Sequence, residues 1–489
     1  MSGFRDVEYY ADSAEDATFN YKLLPLRFTK LDGDRYVVTN MAGEYQILRR
    51  SVIEELVEHR LSPMAPEYIS LRSRHFIADQ HSRLGPDFLA LKVRTRNERV
   101  SHWTGLHIFV LTLRCEHACP YCQVSRQSEN KVAYDMSVQN ADKSIVLALS
   151  SPNQAIKIEF QGGEPFLNFE LMKHVVARSK EWNTQLPNPK SISFVAATNL
   201  AVVTDEMLEF CREHDISIST SLDGPEGLHN KNRPRPGGDS YFRAVSGIQR
   251  ARQILGRDKV SALMTTTASS LPFVREIIDE YLRQGLPGVF LRPLSPYGFA
   301  VKTKAIRAYN ASQWLKFYDD GLDYIIDLNR HGIDFREYYA STIVTKMFKD
   351  EDPGYVDLTS PAGIGTGAVV YNYDGSVYAS DEARMLAEMG DETFKLGSVS
   401  DSFEKIFTNE TFLTALDESS AYSSPICNDC AFEPWCGADP VFHWGQQHDF
   451  CGKKWDSEFC SRNMHIFRTL VGRMESDAFV KKLFRRWAS

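Results

Sequence analysis

The sequence predicts an α/β fold in which helices cover a parallel β-sheet. Three observations support this prediction. Short apolar runs rich in β-branched and aromatic residues recur through the middle of the 489-residue chain. Amphipathic helical patterns such as NFELMKHVVARSKEW separate these runs. Polar and glycine-rich segments follow several of the runs, and α/β folds place their active sites at such strand ends.

Six strands are predicted in this central part of the chain. The first is the run GLHIFVLTLRC, which ends at Cys115. Helical patterns such as LPFVREIIDEYLRQG lie between successive runs, so each strand begins a β–α unit. Such alternation requires crossover connections and therefore predicts parallel strands. The five later strands are predicted at residues 155–160, 191–198, 216–222, 260–267 and 288–294.

The composition is that of a soluble globular protein, with 43% hydrophobic residues, 25% charged residues and a formal net charge of −8. No apolar run reaches the ~18 residues typical of a membrane-spanning helix. The polar, acidic start MSGFRDVEYYADSAED lacks the pattern of a secretion signal. The net negative charge gives no reason to expect a nucleic-acid partner. We therefore expect a cytoplasmic protein that binds neither a membrane nor a nucleic acid.

The nine cysteines are unevenly distributed, and all but one fall in two clusters. An odd number of cysteines in a long chain argues against a disulfide framework. The isolated Cys211 lies in the helical pattern DEMLEFCREH, so we expect it to be a buried free thiol. The two clusters indicate metal sites.

The first cluster is the loop CEHACPYC, in which three and then two residues separate Cys115, Cys119 and Cys122. A structural zinc site needs four protein ligands, and local zinc pairs are usually two residues apart. A 4Fe–4S cluster held by three cysteines leaves one iron open to a substrate or cofactor. The spacing favours the iron–sulfur cluster, with a zinc knuckle or a chance cluster as the alternatives.

The ends of the later strands carry candidate ligand-binding residues. In QGGEP, two glycines allow a ligand to approach the backbone closely, and Glu164 adds a negative charge. Arg233 is suited to pair with a carboxylate, and a surface salt bridge is its alternative role. Leu294 provides either an apolar wall or ordinary core. The candidates at strand ends are Gly162, Gly163, Glu164, Asn199, Ser221, Arg233 and Leu294.

The cysteine loop, with Tyr121 directly before its last cysteine, resembles the radical S-adenosylmethionine (SAM) superfamily. The resemblance implies a partial (β/α)6 barrel, a 4Fe–4S cluster on the three cysteines and SAM bound to the open iron. QGGEP matches the superfamily's site for the SAM amino group. Within the superfamily, the motifs are similar to those of the anaerobic sulfatase maturases. That similarity carries SAM-binding roles to Tyr121, Gly163, Ser221, Arg233 and Leu294.

The second cluster contains CNDCAFEPWCG, with Cys427, Cys430 and Cys436, and is followed by Cys451 and Cys460. A C-x2-C pair is common in zinc sites, so zinc is an alternative here. The pattern resembles the SPASM domain, an auxiliary 4Fe–4S module that follows the barrel in peptide-modifying radical SAM enzymes. The resemblance implies a cluster on the first three cysteines and one later cysteine. Cys460 is the predicted fourth ligand, and Cys451 is the second choice.

The hairpin VVYNYDGSVYASDEARM departs from the complete SPASM pattern. It has Ser380 where the sulfatase maturases place a cysteine, and no partner cysteine lies nearby in the sequence. We therefore expect one auxiliary cluster. Asp381 follows Ser380, and the equivalent Asp of those maturases takes a proton from the substrate. The resemblance implies that Asp381 is a general base, with an ordinary hairpin carboxylate as the alternative.

The N-terminal part of the chain shows a different pattern. Residues 20–62 predict short strands, with turns at Asp32-Gly33 and Ala42-Gly43, followed by the helix RRSVIEELVEHRL. This order resembles the small winged module that holds a leader peptide in many peptide-modifying radical SAM enzymes, and an exposed sheet edge suits a peptide strand. A structural lid on the barrel is the alternative. The predicted regions are an N-terminal module at 1–100, the barrel at 101–310, a helical linker at 311–360 and the auxiliary-cluster domain at 361–489.

Taken together, LHIFVLTLRC, IEFQGGEP, LRPLSPYGFA and YDGSVYASDEARM resemble the radical SAM maturase of the His-Xaa-Ser system, the B component. The resemblance implies an enzyme that uses a 5′-deoxyadenosyl radical to modify a peptide or protein rich in His-Xaa-Ser repeats. It also implies flavodoxin or ferredoxin as the reductant. The alternatives are a radical SAM enzyme that oxidises a Cys or Ser side chain or acts on a small molecule, and a non-enzymatic zinc or iron–sulfur protein.

Overall fold

The computed structural model describes residues 20–349 and 353–488. The N-terminal module contains the predicted strands and helix. Strands β2, β3 and β4 form an antiparallel sheet in that order, and β1 pairs with β5. Gly33 and Gly43 have positive φ angles at the two predicted turns, which favours glycine there. The strands are β1 (Tyr21–Leu23), β2 (Leu26–Asp32), β3 (Arg35–Asn40), β4 (Tyr45–Arg49) and β5 (Ile77–Asp79).

The two faces of this small sheet pack against different parts of the molecule. Val38 and Leu48 join a local core with Ile53 and Leu56 of the following helix. Val37, the neighbour of Val38 on β3, belongs instead to the main core of the protein. Successive side chains of a strand point to opposite faces, so one face holds the module together and the other docks it. The helices of the module are Arg50–Val57, Tyr68–Ser73 and Gly85–Ser101.

The centre of the molecule is an eight-stranded sheet in which six consecutive strands are parallel, and five of these come from the predicted barrel region. They coincide with the first five strands predicted for the barrel, so this prediction is confirmed. Helices connect successive strands, as a parallel sheet requires. The five strands are β6 (Leu106–Thr112), β7 (Ala155–Gly162), β8 (Ser191–Thr198), β9 (Ile216–Ser221) and β10 (Val260–Leu263). The helices packed around them include Val138–Leu149, Phe169–Asn183, Asp205–Glu213, Ser240–Leu255 and Val274–Arg283.

The sixth predicted strand is much shorter than the sequence pattern indicates. Strand β11 (Gly288–Val289) pairs with β12 (Arg336–Glu337) in a separate two-stranded sheet. Only the hydrogen bond from Thr266 N to Arg292 O, at 2.9 Å, links this segment to the one after β10. Pro287 and Pro293 bracket the segment, and proline cannot donate to a ladder of strand hydrogen bonds. The barrel is therefore open on this side of β10.

The central sheet continues beyond the barrel on the side of β6. Strand β13 (Ala368–Tyr371) runs parallel to β6, and β14 (Ser376–Tyr378) and β15 (Lys395–Ser398) follow antiparallel. These strands come from residues 361–489, so the hairpin of the predicted C-terminal region extends the barrel sheet. The hairpin thereby reaches the open mouth of the barrel.

Helices dominate the rest of the C-terminal half. The long helices Ala311–Arg330 and Glu458–Ser476 pack beside each other, and the helix Tyr338–Phe348 packs against Glu433–Trp435 of the segment that carries the second cysteine cluster. No helix among the described residues is long and apolar enough to span a membrane. The remaining helices of this half are Asp381–Ala387, Phe403–Phe407, Glu410–Glu418, Pro440–Gln447 and Ala478–Trp487. Shorter helices elsewhere are Lys131–Tyr134, Glu226–Asn232 and Phe299–Lys302.

Candidate active site

A cavity of about 530 Å³ lies along the carboxyl ends of the parallel strands, between the cysteine loop and the hairpin β13–β14. Its volume is sufficient for a ligand of the size of SAM together with part of a second molecule. Most of the residues proposed from the sequence reach this one cavity. The lining residues among them are Cys115, Cys119, Cys122, Tyr121, Gly162, Gly163, Asn199, Ser221, Arg233 and Asp381.

The cysteine loop is held at both ends by backbone hydrogen bonds. Ala118 N donates to Pro234 O at 2.8 Å, and Phe299 N donates to Cys122 O at 2.8 Å. Burial raises the pKa of the Cys115 thiol well above its usual value and that of Cys119 to about 12. These thiols are therefore protonated at neutral pH unless a metal displaces the proton. Three thiols directed into one cavity, with no disulfide between them, fit a bound metal cluster.

Tyr121, Asp223 and Arg233 form a compact buried group beside the loop. The Tyr121 hydroxyl donates to Asp223 Oδ2, and Arg233 Nε lies 3.1 Å from the same oxygen. The Arg233 guanidinium also lies 5.5 Å from the centre of the Tyr121 ring. Burial is the largest single effect and lowers the pKa of Arg233, but Asp223, Tyr121 and Cys119 together outweigh it, so the net effect raises the pKa. The arginine stays charged, and both it and the tyrosine face the cavity.

Gly162 and Gly163 line the cavity. Close packing against the neighbouring backbone requires glycine at both positions, apart from any approach of a ligand. A Cβ atom on Gly162 would lie 2.0 Å from Thr112 O, and one on Gly163 would lie 2.2 Å from Arg114 O. A side chain at either position would therefore collide with the neighbouring backbone. Gly162 also has a φ angle of +147°. The two glycines let β7 approach the strand that carries the cysteine loop.

Glu164 and Asn199 brace the strand ends. Both Glu164 oxygens are occupied, because they accept hydrogen bonds from the Thr198 hydroxyl at 2.7 Å and from Asn199 N at 2.8 Å. Burial and the nearby Glu116 raise the pKa of Glu164 to about 8. Glu164 therefore lies behind the cavity wall. Asn199 reaches the cavity, with its Nδ2 at 3.9 Å from Cys115 Sγ.

Ser221 and Leu294 occupy different surroundings. Ser221 is the last residue of β9 and lines the cavity. Leu294 is buried against Tyr121 and Ala300 in a small apolar cluster. Its backbone N–H donates to the Tyr309 hydroxyl at 2.9 Å. Leu294 thus packs in the apolar cluster that supports Tyr121.

The hairpin forms the wall opposite the cysteine loop. Ser380 is buried, caps the helix Asp381–Ala387 by accepting from Ala383 N at 3.1 Å, and lines the cavity. Asp381 also lines the cavity, and its Oδ1 lies 3.2 Å from Nη2 of the buried Arg384. The carboxylate is therefore held in position at the cavity surface.

Charged residues that were not proposed from the sequence share this wall. Arg292, Asp357 and Glu382 line the main cavity and also a smaller adjoining one. Burial and the neighbouring Asp357 raise the pKa of Glu382 to about 8, so it is mainly protonated at neutral pH. Arg292 directly follows the apolar run GVFL, and Glu382 directly follows Asp381. Position after a strand was the one sequence signal that pointed to Arg292.

The second cysteine set lies away from the main cavity. The thiol pKa of Cys436 is raised by burial first and then by the nearby Cys427, Cys430 and Cys460. Two further contacts surround the set: Asn463 Nδ2 lies 3.8 Å from Cys436 Sγ, and the Cys430 and Met464 sulfurs are 3.7 Å apart.

The spacing of the thiols bears on the choice between zinc and an iron–sulfur cluster. Four thiolates around one zinc at about 2.3 Å would place their sulfurs about 4 Å apart. Among residues 20–349 and 353–488, one group of three or more metal-ligating atoms lies within 4.8 Å of one another, and it consists of Cys115, Glu116 and His117. In these described residues no three thiols lie that close together. The His117 ring is already used, since Nδ1 contacts Glu116 and Nε2 contacts Ser240. Wider thiol spacing fits a multi-iron cluster, in which each thiolate binds a different iron.

Comparison with known proteins decides the class of the barrel. A family model described as the Radical SAM superfamily matches residues 109–267, which include the cysteine loop and strands β7 to β10. Residues 109–267 belong to the radical SAM superfamily. Members of this superfamily are enzymes that use a 4Fe–4S cluster and SAM, and the matched residues contain the cysteine loop, so this chain is an enzyme with those cofactors.

Relatives and solved structures agree with this assignment. The chain is 28% identical over 230 residues to an uncharacterized protein of Methanothermobacter thermautotrophicus, covering 46% of this chain and 79% of that protein. It is 22% identical over 284 residues to a cysteine-type anaerobic sulfatase-maturating enzyme of Clostridium perfringens, covering 55% and 71%.

Two solved structures share the fold. Native anSMEcpe with bound AdoMet superposes with a TM-score of 0.60 at 17% identity, covering 78% of this chain and 99% of that chain. Streptococcus suis SuiB bound to its precursor peptide SuiA gives a TM-score of 0.52 at 11% identity, covering 90% and 100%. At these identities the likeness establishes the radical SAM fold alone.

Proposed function

We propose that this protein is a radical SAM maturase that modifies a peptide or protein, with a His-Xaa-Ser-rich partner as substrate. The observation that carries the proposal is the single cavity with the cysteine loop on one wall and Asp381 on the other. A radical generated at one wall and a carboxylate at the other suit the oxidation of a side chain between them. SuiB, which shares the fold, binds a precursor peptide.

In this proposal, Cys115, Cys119 and Cys122 hold the 4Fe–4S cluster that binds SAM. When bound, the cluster and SAM supply a 5′-deoxyadenosyl radical that removes hydrogen from the substrate. The chain contributes binding and exclusion of water. Arg233 pairs with the SAM carboxylate, Tyr121 packs on the adenine, and Ser221 and Asn199 offer hydrogen bonds. Gly162, Gly163, Glu164 and Leu294 shape and support this part of the cavity.

The SAM role of Arg233 predicts a defined effect on affinity. Replacing Arg233 by Lys keeps a charge near Asp223 but removes the planar fork that suits a carboxylate. We expect the KM for SAM to rise about tenfold, the loss of one charge-assisted hydrogen bond. Initial rates of 5′-deoxyadenosine formation at varied SAM concentration measure it. Arg235→Lys is the matched control, because Arg235 pairs with Asp239 and faces away from the cavity.

The second cysteine set is assigned to one auxiliary 4Fe–4S cluster on Cys427, Cys430, Cys436 and Cys460. The proximity of these four thiols supports this ligand set, because Cys460 contributes to the raised pKa of both the Cys430 and the Cys436 thiols. A flavodoxin or ferredoxin supplies low-potential electrons to the enzyme in the cytoplasm. Asp381 accepts the proton that the substrate loses, and residues 1–100 contain the module that holds the leader part of the peptide.

The test is a reaction with a companion peptide. Anaerobically reconstituted enzyme, SAM and dithionite are incubated with a His-Xaa-Ser-rich peptide, and the peptide is analysed by mass spectrometry. A change of mass together with 5′-deoxyadenosine supports the proposal. The same peptide with its His and Ser residues changed to Ala is the control. A change only in a peptide bearing a sulfatase-type Cys or Ser would favour side-chain oxidation of the sulfatase-maturase type instead.

A further inference from the structure

The N-terminal module packs on the segment that carries three thiols of the second cysteine set. The regular structure of this segment is a short 3₁₀ helix at Glu433–Trp435, and most of its other residues form turns. The stretch from Cys427 to Cys430 is its first interval, and the stretch from Cys430 to Cys436 is its second. Side chains of the module contact both intervals, and they belong to Arg27, Thr29, Thr39 and Arg96.

Arg27 of β2 binds both intervals at once. Its Nε donates to Asn428 O in the first interval at 2.6 Å. Its Nη1 pairs with Glu433 Oε2 in the second interval at 2.7 Å. Both members of this ion pair are buried, so water and salt do not screen it as they screen a surface pair. One guanidinium therefore ties the two intervals to the same strand.

Two threonines on neighbouring strands hold the backbone at the start of the second interval. Thr29 Oγ1 on β2 accepts a hydrogen bond from Ala431 N at 3.0 Å. Thr39 Oγ1 on β3 donates to Ala431 O at 2.7 Å. Ala431 directly follows Cys430, so the sheet fixes both backbone polar groups of the residue next to a proposed cluster ligand.

The turn after β3 closes on the end of the second interval. Trp435 Nε1 donates to Gly43 O at 3.0 Å. Arg96 bridges the two regions, because its guanidinium donates to Ala42 O at 3.0 Å and also to Pro434 O. Both Arg96 and Trp435 are buried. The module therefore holds the cysteine segment at several points along its length.

These contacts are made to the backbone and to side chains between the cysteines, so they fix the spacing of the thiols without occupying the sulfurs. A segment that is already held in place loses less conformational freedom when it binds a metal cluster. We propose that the N-terminal module is a structural part of the auxiliary-cluster site, with Arg27 as the residue that positions both intervals. This inference rests on the proposed assignment of Cys427, Cys430 and Cys436 as cluster ligands. It gives the module a task beside the proposed recognition of the peptide.

The test measures how firmly the auxiliary cluster is held in the full-length protein. Cys115, Cys119 and Cys122 are changed to Ala, so that iron bound after anaerobic reconstitution with iron and sulfide reports on the second cysteine set alone. Release of this iron to an excess of chelator is followed by absorbance, and the remaining cluster is followed by EPR after reduction. In this background, Arg27→Met is expected to speed iron release about tenfold, as for the loss of one hydrogen bond between charged groups.

Arg35→Met is the matched control in the same background. Arg35 lies on the adjacent strand of the same sheet, and its ion pair with Asp32 is exposed. The iron of this variant is expected to leave at the background rate.

A double variant separates positioning from a general loss of stability. Arg27→Met leaves Glu433 buried without the guanidinium that pairs with it, and an uncompensated buried charge destabilises the fold. Glu433→Gln in the same chain removes that charge but restores no contact between the module and the first interval. The urea midpoint of the cluster-free double variant is expected to return toward that of the background, while its iron release stays fast.

Iron release at the background rate from the double variant would overturn the positioning role, because the effect of Arg27→Met would then follow stability alone. Background rates in both Arg27 variants, or an equal acceleration in Arg35→Met, would overturn it as well. Absence of any cluster from the background protein would overturn the ligand assignment itself. The proposed peptide chemistry is tested separately, by the mass of the peptide.

Discussion

Simultaneous replacement of Cys115, Cys119 and Cys122 by alanine is expected to reduce 5′-deoxyadenosine formation from SAM to background. The three thiols line one cavity, and their loop is fixed by backbone hydrogen bonds with Pro234 and Phe299. Without thiolates no iron is retained there, and SAM loses the metal that binds and reduces it. The measurement is anaerobic product analysis after reduction with dithionite, with iron content determined in parallel.

Cys211→Ala is the matched control for the triple variant. Cys211 is fully buried on the helix Asp205–Glu213, far from both cysteine clusters in sequence. Its replacement removes a small buried side chain and is expected to cost about 1 kcal/mol of unfolding free energy, with product formation retained. If the triple variant still formed product at the rate of the unmodified enzyme, the cysteine loop would not be the site of SAM cleavage.

The parallel strands were predictable because the signal for each lies within its own few residues. Strand β6 is a nearly continuous apolar run, and β7 and β9 alternate buried apolar residues with more exposed polar ones. Helical patterns separate these strands, and local patterning determines both kinds of element. The sixth strand was overestimated. The apolar run at residues 288–294 is typical of a strand, yet only Gly288–Val289 pairs with a neighbouring strand. Leu291 N donates instead to the Glu337 side chain, and Arg292 N donates to Phe290 O.

The cysteine loop was predictable from spacing, whereas the opposite wall of the cavity was only partly so. Arg292, Asp357 and Glu382 come from three separate segments of the chain, and the connection of β13 to β6 is what brings the hairpin to the barrel. The spacing of residues in the sequence does not predict the pairing of β13 with β6. The glycines of QGGEP line the cavity, as the predicted ligand-binding role requires, and backbone packing against Thr112 and Arg114 is a second reason for glycine that the sequence pattern does not show.

The sequence likewise did not predict the contact between the N-terminal sheet and the segment that carries the second cysteine set. Thr29 Oγ1 accepts a hydrogen bond from Ala431 N although the two residues are 402 positions apart in the sequence, and Thr29 belongs to no recognisable motif. The strands themselves were predicted correctly from turns and alternation. Which face would be buried against another region depends on docking, which a strand pattern does not encode.

Asp381→Asn is expected to lower the yield of modified peptide by a factor of about 10² to 10⁴, the usual contribution of a general base. The asparagine amide keeps the size of the side chain but cannot accept the substrate proton. SAM cleavage does not require that proton transfer, so 5′-deoxyadenosine is expected to continue to form. The measurement is the ratio of modified peptide to 5′-deoxyadenosine in the same reaction, which falls in the variant when the two steps are uncoupled.

Structural damage must be separated from loss of the base, because Asp381 is the ion-pair partner of the buried Arg384. Continued 5′-deoxyadenosine formation by the Asp381→Asn protein reports an intact barrel and cofactor site. Asp374→Asn is the matched control, since Asp374 lies in the turn of the same hairpin and accepts hydrogen bonds from Ser376 N at 2.9 Å and Ser376 Oγ at 3.3 Å. It is expected to keep the normal product ratio. An unchanged ratio in Asp381→Asn would mean that the carboxylate positions the hairpin through Arg384 and that another group accepts the proton.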